Sequence, residues 1–117
     1  MSRNVAAIFA DIDGFDPDKF VAHLTEDVTF RFGNGEPVLG RANVRDAVAG
    51  FFTTIAGLTH HILNVYEAGD VSVAQIDVEY VRHDGKHVTV PNADILVFDG
   101  ALVSNWQIYI DVAPVYA

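Results

Sequence analysis

At 117 residues, half of them apolar and one fifth charged, the chain has the size and composition of one compact globular domain. Seven Lys and Arg stand against 16 Asp and Glu, a formal charge of −9, so a phosphate backbone would be repelled and nucleic acid is not an expected partner. No cysteine occurs, which removes disulfides, a thiolate nucleophile and Cys-based metal sites, and fits the reducing cytoplasm expected as its location. The longest apolar run, Val5 to Ala10, falls far short of the ~20 residues that span a bilayer, and neither a signal peptide nor a membrane anchor is expected.

Ser2 can cap a first helix that runs through Ile12 and is broken by Gly14. Asp16 followed by Pro17 predicts a second helix over residues 17 to 24, since the Asp side chain satisfies free N–H groups and Pro fits the first turn. Phe20, Val21 and Leu24 then face inward. Residues 28 to 32 read as a short strand, and Gly33, Asn34, Gly35, Glu36 and Pro37 as a loop. Val44, Ala47, Val48, Phe51, Phe52 and Ile55 recur at the spacing of one helical face, marking the longest helix, which ends before Gly57. From Leu58 the period becomes two, over roughly 58 to 67, 71 to 82, 87 to 98 and 102 to 111. Gly69-Asp70, Asp84-Gly85 and Asp99-Gly100 separate these strands, and each can supply the positive φ of a tight hairpin turn. Three helices followed by an antiparallel meander predict an α+β layer fold with the helices on one sheet face.

Four segments stand out in order along the chain: Glu26-Asp27-Val28-Thr29-Phe30-Arg31-Phe32, Pro37-Val38-Leu39-Gly40-Arg41, Phe98-Asp99-Gly100 and Trp106-Gln107-Ile108-Tyr109-Ile110-Asp111. Together they resemble the nuclear transport factor 2-like superfamily, and within it the SnoaL-like polyketide cyclase and ketosteroid isomerase-like branch. The resemblance covers nearly the whole chain. It implies N-terminal helices packed on a curved antiparallel sheet, a cystatin-like α+β roll shaped as a cone around an interior pocket. It also implies a small apolar ligand and a homodimer through the outer sheet face. Fold alone does not fix chemistry. Against the Asp-Arg-Asp set of limonene-epoxide hydrolases, the arginine position resembles Gln75, the first aspartate Asp77 and the second Ile108, with Phe30 and Phe32 where Tyr and Asn assist, so that set is broken. Against the ketosteroid isomerases, the oxyanion Asp falls on Asp94, the Tyr near Ile8 and the base near Phe32, and one of three survives.

If Asp84-Gly85 is a two-residue turn, Gln75 opposes Asp94, Asp77 opposes Asn92 and Glu79 opposes Val90, which places two aspartates diagonally on one face. Lining a pocket with Phe30, Phe32, Phe52, Trp106 and Ile108, the pair would repel and desolvate one another, raising one carboxyl pKa. A protonated Asp94 would then donate to a carbonyl oxygen and an ionised Asp77 accept a proton from carbon, with Gln75 and Asn92 orienting the substrate. That chemistry suits enolisation, intramolecular aldol closure or isomerisation and calls for no metal or cofactor. A competing reading comes from alternation: Ala74, Ile76, Val78 and Tyr80 are apolar while Gln75, Asp77 and Glu79 are polar, which puts the polar set in solvent. The last hairpin bears on the choice. A three-residue loop at Phe98-Asp99-Gly100 groups Asp94 with Trp106, Ile108 and Ile110; a two-residue Asp99-Gly100 turn groups it with Asn105, Gln107 and Tyr109.

His60 and His61 are adjacent in a strand, point to opposite faces and cannot readily share a metal, but either one could serve a pocket as acid or base. His23 is placed near the pocket mouth and His83 and His87 on the surface, Asp111 points outward, and Arg31 is free to pair with an acidic residue. The expected function is a small acid–base enzyme of the isomerase or cyclase type acting through Asp94 and Asp77. The alternative is a ligand-binding or dimeric accessory module without chemistry.

Overall fold

Helix caps organise the first third of the chain. In the computed structural model, which describes residues 4–117, Asn4 accepts the Ala7 N–H at 3.0 Å and starts α1 (Val5–Asp13); Ser2, the expected cap, lies outside the described residues. Val5, Ile8, Phe9 and Ile12 form the buried stripe of α1. Gly14 ends the helix with ordinary helical torsions, and the left-handed residue is Phe15, at φ 66°. Such a conformation costs a side-chain-bearing residue on the order of 1–3 kcal/mol, and here it accompanies a stack of the Phe15 ring on Phe52 at 4.4 Å. Asp16 and Pro17 open α2 (Pro17–Val21), Asp16 accepting the Asp18 N–H at 2.9 Å. The helix stops short of residue 24 because Leu24 already begins β1 (Leu24–Phe32). After β2 (Val38–Leu39), α3 (Arg41–Phe52) buries Val44, Val48 and Phe52.

The remaining strands, β3 (Gly57–Ala68), β4 (Val71–Val81), β5 (His87–Asp99) and β6 (Leu102–Ile110), form the antiparallel meander that the period-two pattern predicts, followed by a short α4 (Ala113–Tyr116). The curved, open sheet has the order β2-β1-β6-β5-β4-β3. It is mixed rather than wholly antiparallel, because β1 lies parallel to β6. Asp111 accepts the Ala113 N–H at 3.0 Å just past the end of β6, and Arg31 donates to the Gly35 carbonyl at 2.9 Å rather than to a carboxylate. No helix among the described residues is long and apolar enough to cross a membrane.

Two hairpins set which residues face the helices. Between β4 and β5 the Arg82 N–H donates to the Lys86 carbonyl at 2.8 Å, so the loop is His83, Asp84 and Gly85, with Gly85 at φ 85°. The two-residue turn expected at Asp84-Gly85 is therefore one residue too short, and every partner shifts by one: Asp94 opposes Ala74, Gln75 opposes Ala93, Asp77 opposes Pro91 and Glu79 opposes Thr89. In a pleated sheet that slip reverses the face of each side chain relative to its partner strand. Between β5 and β6, Asp99 opposes Leu102, and Ser104 is an extra residue between the Val97–Asn105 and Phe98–Val103 pairs. The bulge puts Asp94 opposite Ile108 and Leu96 opposite Trp106, the grouping expected from the longer loop.

Candidate functional site

The inner face of the sheet and the three N-terminal helices enclose a cavity of about 230 Å³. Phe9, Phe20, Phe30 and Trp106 build one side of it: Trp106 stacks on Phe20 at 5.3 Å and meets Phe9 and Phe30 edge-on at 5.9 and 6.0 Å. Phe32, Phe51, Phe52 and Tyr80 build the other, with Phe51 5.0 Å from Phe32 and 6.1 Å from Tyr80. The most exposed lining residues are Gly35, Glu36 and Ala47, so the mouth lies between the loop after β1 and α3. Polar groups are few: His60, Tyr80, Asn92 and Asp94 within, and Glu36 at the mouth; none of the lining residues is Lys or Arg.

Asp94 is the chemical centre of this arrangement. It is 1% exposed on the middle of β5, with Asn92 two residues away on the same face and Trp106 diagonally across on β6. Asn92 Nδ2 donates to its Oδ1, and Trp106 Nε1–H donates to its Oδ2 at 2.7 Å. Burial pushes the carboxyl up to about 6, against the pull of the Asn92 and Trp106 hydrogen bonds and the nearby charge of His60, all of which favour the carboxylate. Removal from water thus outweighs two good donors. Burial also drives the Tyr80 phenol upward, and the Asp94 charge adds to that effect.

His60, on β3, reaches the same cavity from the other side. Its Nδ1–H donates to Asp13 Oδ1 at 2.5 Å and its backbone N–H to Asp13 Oδ2 at 2.9 Å, so one carboxylate at the end of α1 holds both ring and backbone. The ring packs 4.9 Å from Phe9.

Of the residues predicted from sequence, Asp94, Asn92, Trp106, Phe30, Phe32, Phe52 and Ile108 all line the cavity. Asp77 and Gln75 do not: the one-residue register difference turns them to the outer face, where Gln75 is exposed and accepts from Asn64 Nδ2 at 3.1 Å. The alternation on β4 was the better guide, since its apolar set faces inward and carries Tyr80 with it. Outside, Glu79 accepts from His61 Nε2–H at 2.9 Å and His87 Nδ1–H at 2.6 Å, contacts that hold its carboxyl below the usual range. His23 bonds Asp11 at 2.7 Å and is not among the lining residues. Sequence reasoning missed Asp13 altogether, because only the packing of α1 against β3 brings it to a histidine 47 positions away. Among the described residues no group of three His, Cys, Asp or Glu is placed to hold a metal ion.

Comparison with known proteins agrees with this architecture. A protein with a ketosteroid isomerase-like fold from Catenulispora acidiphila, solved in complex with trimethylamine, superposes with a TM-score of 0.86 at 22% identity, over 95% of this chain and 87% of that one. An NTF2-like protein of unknown function from Burkholderia pseudomallei gives 0.84 at 17% identity, over 94% and 89%. An LEH-like epoxide hydrolase from M. tuberculosis gives 0.79 at 15% identity, over 96% and 83%. At these identities the likeness is one of fold. No curated protein matches the sequence. The SnoaL-like domain family matches residues 5–106, from the first turn of α1 to the tryptophan that bonds Asp94. With so much of its length inside that match, the chain belongs to the SnoaL-like domain family.

Proposed function

We propose that this protein is a small acid–base enzyme of the isomerase or cyclase type, acting without a cofactor on a neutral, apolar, carbonyl-bearing molecule. The observation that carries the reading is Asp94: a carboxyl 1% exposed, raised to about 6, in the wall of an aromatic cavity. A base works best when its pKa lies near the operating pH. A value near 6 still leaves the carboxylate as the main form at neutral pH, and two N–H donors hold its oxygens. Asp94 is accordingly the proton acceptor here, in place of the donor role expected from the sequence, and Asp77 has no part. The reaction class is proton abstraction next to a carbonyl, with enolisation, double-bond migration or aldol closure as its outcomes. A volume of about 230 Å³ is smaller than the ~300–1,000 Å³ that drug-sized ligands occupy, which favours a monocyclic or bicyclic substrate. Glu36 at the mouth, with no basic lining residue, disfavours anions.

The test is proton exchange. With bicyclic and monocyclic ketones such as 2-tetralone in D₂O, wild-type protein should speed the loss of the α-proton NMR signal. Asp94→Asn should slow it by about 10²–10⁴-fold, the usual contribution of a general base, while Asp77→Asn stays within twofold. Exchange that survives in Asp94→Asn removes Asp94 as the base, and wild-type protein that speeds no exchange puts an accessory ligand-binding module in place of the enzyme. The proposal includes a homodimer through the outer sheet face, supported by the row Tyr66, Val73 and Ile95 across β3, β4 and β5; sedimentation at micromolar concentration decides it.

A further inference from the structure

The geometry points to His60 as the second proton-transfer group of this cavity, with Asp13 as its positioning residue. The assignment rests on the acid–base reading of Asp94 and supplies the partner that Asp77 cannot be.

Three observations carry it. Asp13 spends both carboxylate oxygens on one residue, 2.5 Å from His60 Nδ1 and 2.9 Å from its backbone nitrogen. That fixes the ring orientation and places a proton on Nδ1, leaving Nε2 as the ring nitrogen with no protein partner among the described residues. His60 lines the cavity, its side chain only 9% exposed and flanked by Phe9. The charged groups that act on it come from two elements: Asp13 ends α1, and Asp94 on β5 is close enough for the imidazole charge to favour its carboxylate. The left-handed Phe15 lies two residues after Asp13, a strained backbone at the junction that delivers this carboxylate.

The step uses the protonated ring, in which Asp13 holds Nδ1–H and Nε2–H is the free donor. The Asp94 carboxylate takes a proton from the carbon next to a carbonyl; the C–H electron pair forms the carbon–carbon double bond and the carbonyl π pair moves to oxygen. His60 Nε2–H donates its proton to that oxygen, then recovers it as the proton on Asp94 returns to either end of the enol. Both groups end as they began, and no oxidant or co-reactant is consumed.

Two measurements test the assignment. In the 2-tetralone exchange assay, His60→Gln should lose about 10²-fold or more in kcat with KM within twofold. Asp13→Asn should lose about tenfold in kcat with KM within twofold, a split that a purely structural role would not produce. Loss in Asp94→Asn with full rate in His60→Gln overturns this inference and leaves the Asp94 reading intact; the reverse pattern removes the Asp94 reading and keeps His60. The second measurement needs no turnover. Adding 2-naphthol, a flat bicyclic enol mimic, should shift the ¹⁵N resonance of His60 Nε2 in both wild type and Asp94→Asn, and an unmoved resonance at the solubility limit of the probe overturns the assignment.

Discussion

The two faces of the sheet carry the same residue types in opposite states. On the inner face one carboxylate, Asp94, is sealed behind Trp106 and pushed up to about 6 by loss of water. On the outer face Glu79 keeps solvent, takes hydrogen bonds from His61 and His87, and is held below its usual range. Opposite shifts in two carboxylates on adjacent strands follow the face each occupies and not the residue composition around it. A cluster of one Glu and two His attracts attention in a sequence, yet here it is a hydrogen-bonded group on the solvent side of the sheet. The chemically unusual acid stands among phenylalanines.

The contrast breaks most visibly at Trp106. This side chain is 1% exposed, packs against Phe9, Phe20 and Phe30, and provides one of the two donors to Asp94. Trp106→Ala should cost ~3–5 kcal/mol in urea unfolding, the range for truncating a buried aromatic. Replacing the outer-face Tyr109, 57% exposed, by Ala should cost far less in the monomer. Comparable losses would mean that the outer face is as well packed as the inner.

Next in size is the pH dependence of stability. Asp94 has a folded pKa of about 6 against an ordinary 3.8, so between those values the native state holds more protons than the unfolded chain. Stability therefore falls as pH rises from about 4 to 6, by roughly 3 kcal/mol for a shift of this size, and is level above. Glu79 has the opposite sign: its contribution is present above its unfolded value and fades as pH drops through the lowered one. Asp94→Asn should cancel the inner-face slope, so the difference in stability between variant and wild type grows in the variant's favour from pH 4 to pH 7. Glu79→Gln should act only towards acid pH, with an effect that added salt screens. A stability difference between Asp94→Asn and wild type that is constant over this range would show that the buried carboxyl carries no desolvation cost.

Much of this was legible in the chain because local signals agreed. Asp16-Pro17, the helical spacing from Val44 to Ile55 and the period-two tracts placed the elements with errors confined to their ends. The aromatic walls and Asp94 followed from the strand carrying Trp106 and from the family resemblance. What failed was long-range or one residue wide. The parallel β1–β6 pairing joins segments far apart in sequence, and Asp13 with His60 meet only through helix-on-sheet packing. The Asp94–Asp77 pair depended on a turn length that Asp-Gly alone does not determine, because the same dipeptide serves a two-residue turn or the end of a three-residue loop.

That loop gives the smallest and most direct test of how the faces are assigned. Gly85 sits at φ 85°, and a methyl group added there would meet nothing within 4 Å, so any cost of Gly85→Ala is a backbone cost. An alanine forced into left-handed torsions loses about 1–2 kcal/mol, which thermal unfolding can resolve. The register itself should survive, because slipping β5 by one residue would turn Val90, Leu96 and Phe98 into solvent along with Asp94, a burial loss several times larger than the strain. The Asp94 carboxyl resonance should therefore titrate near 6 in Gly85→Ala as in wild type, while a variant that titrated as a free carboxylate would mean that the glycine, and not the apolar face, holds the acid inside.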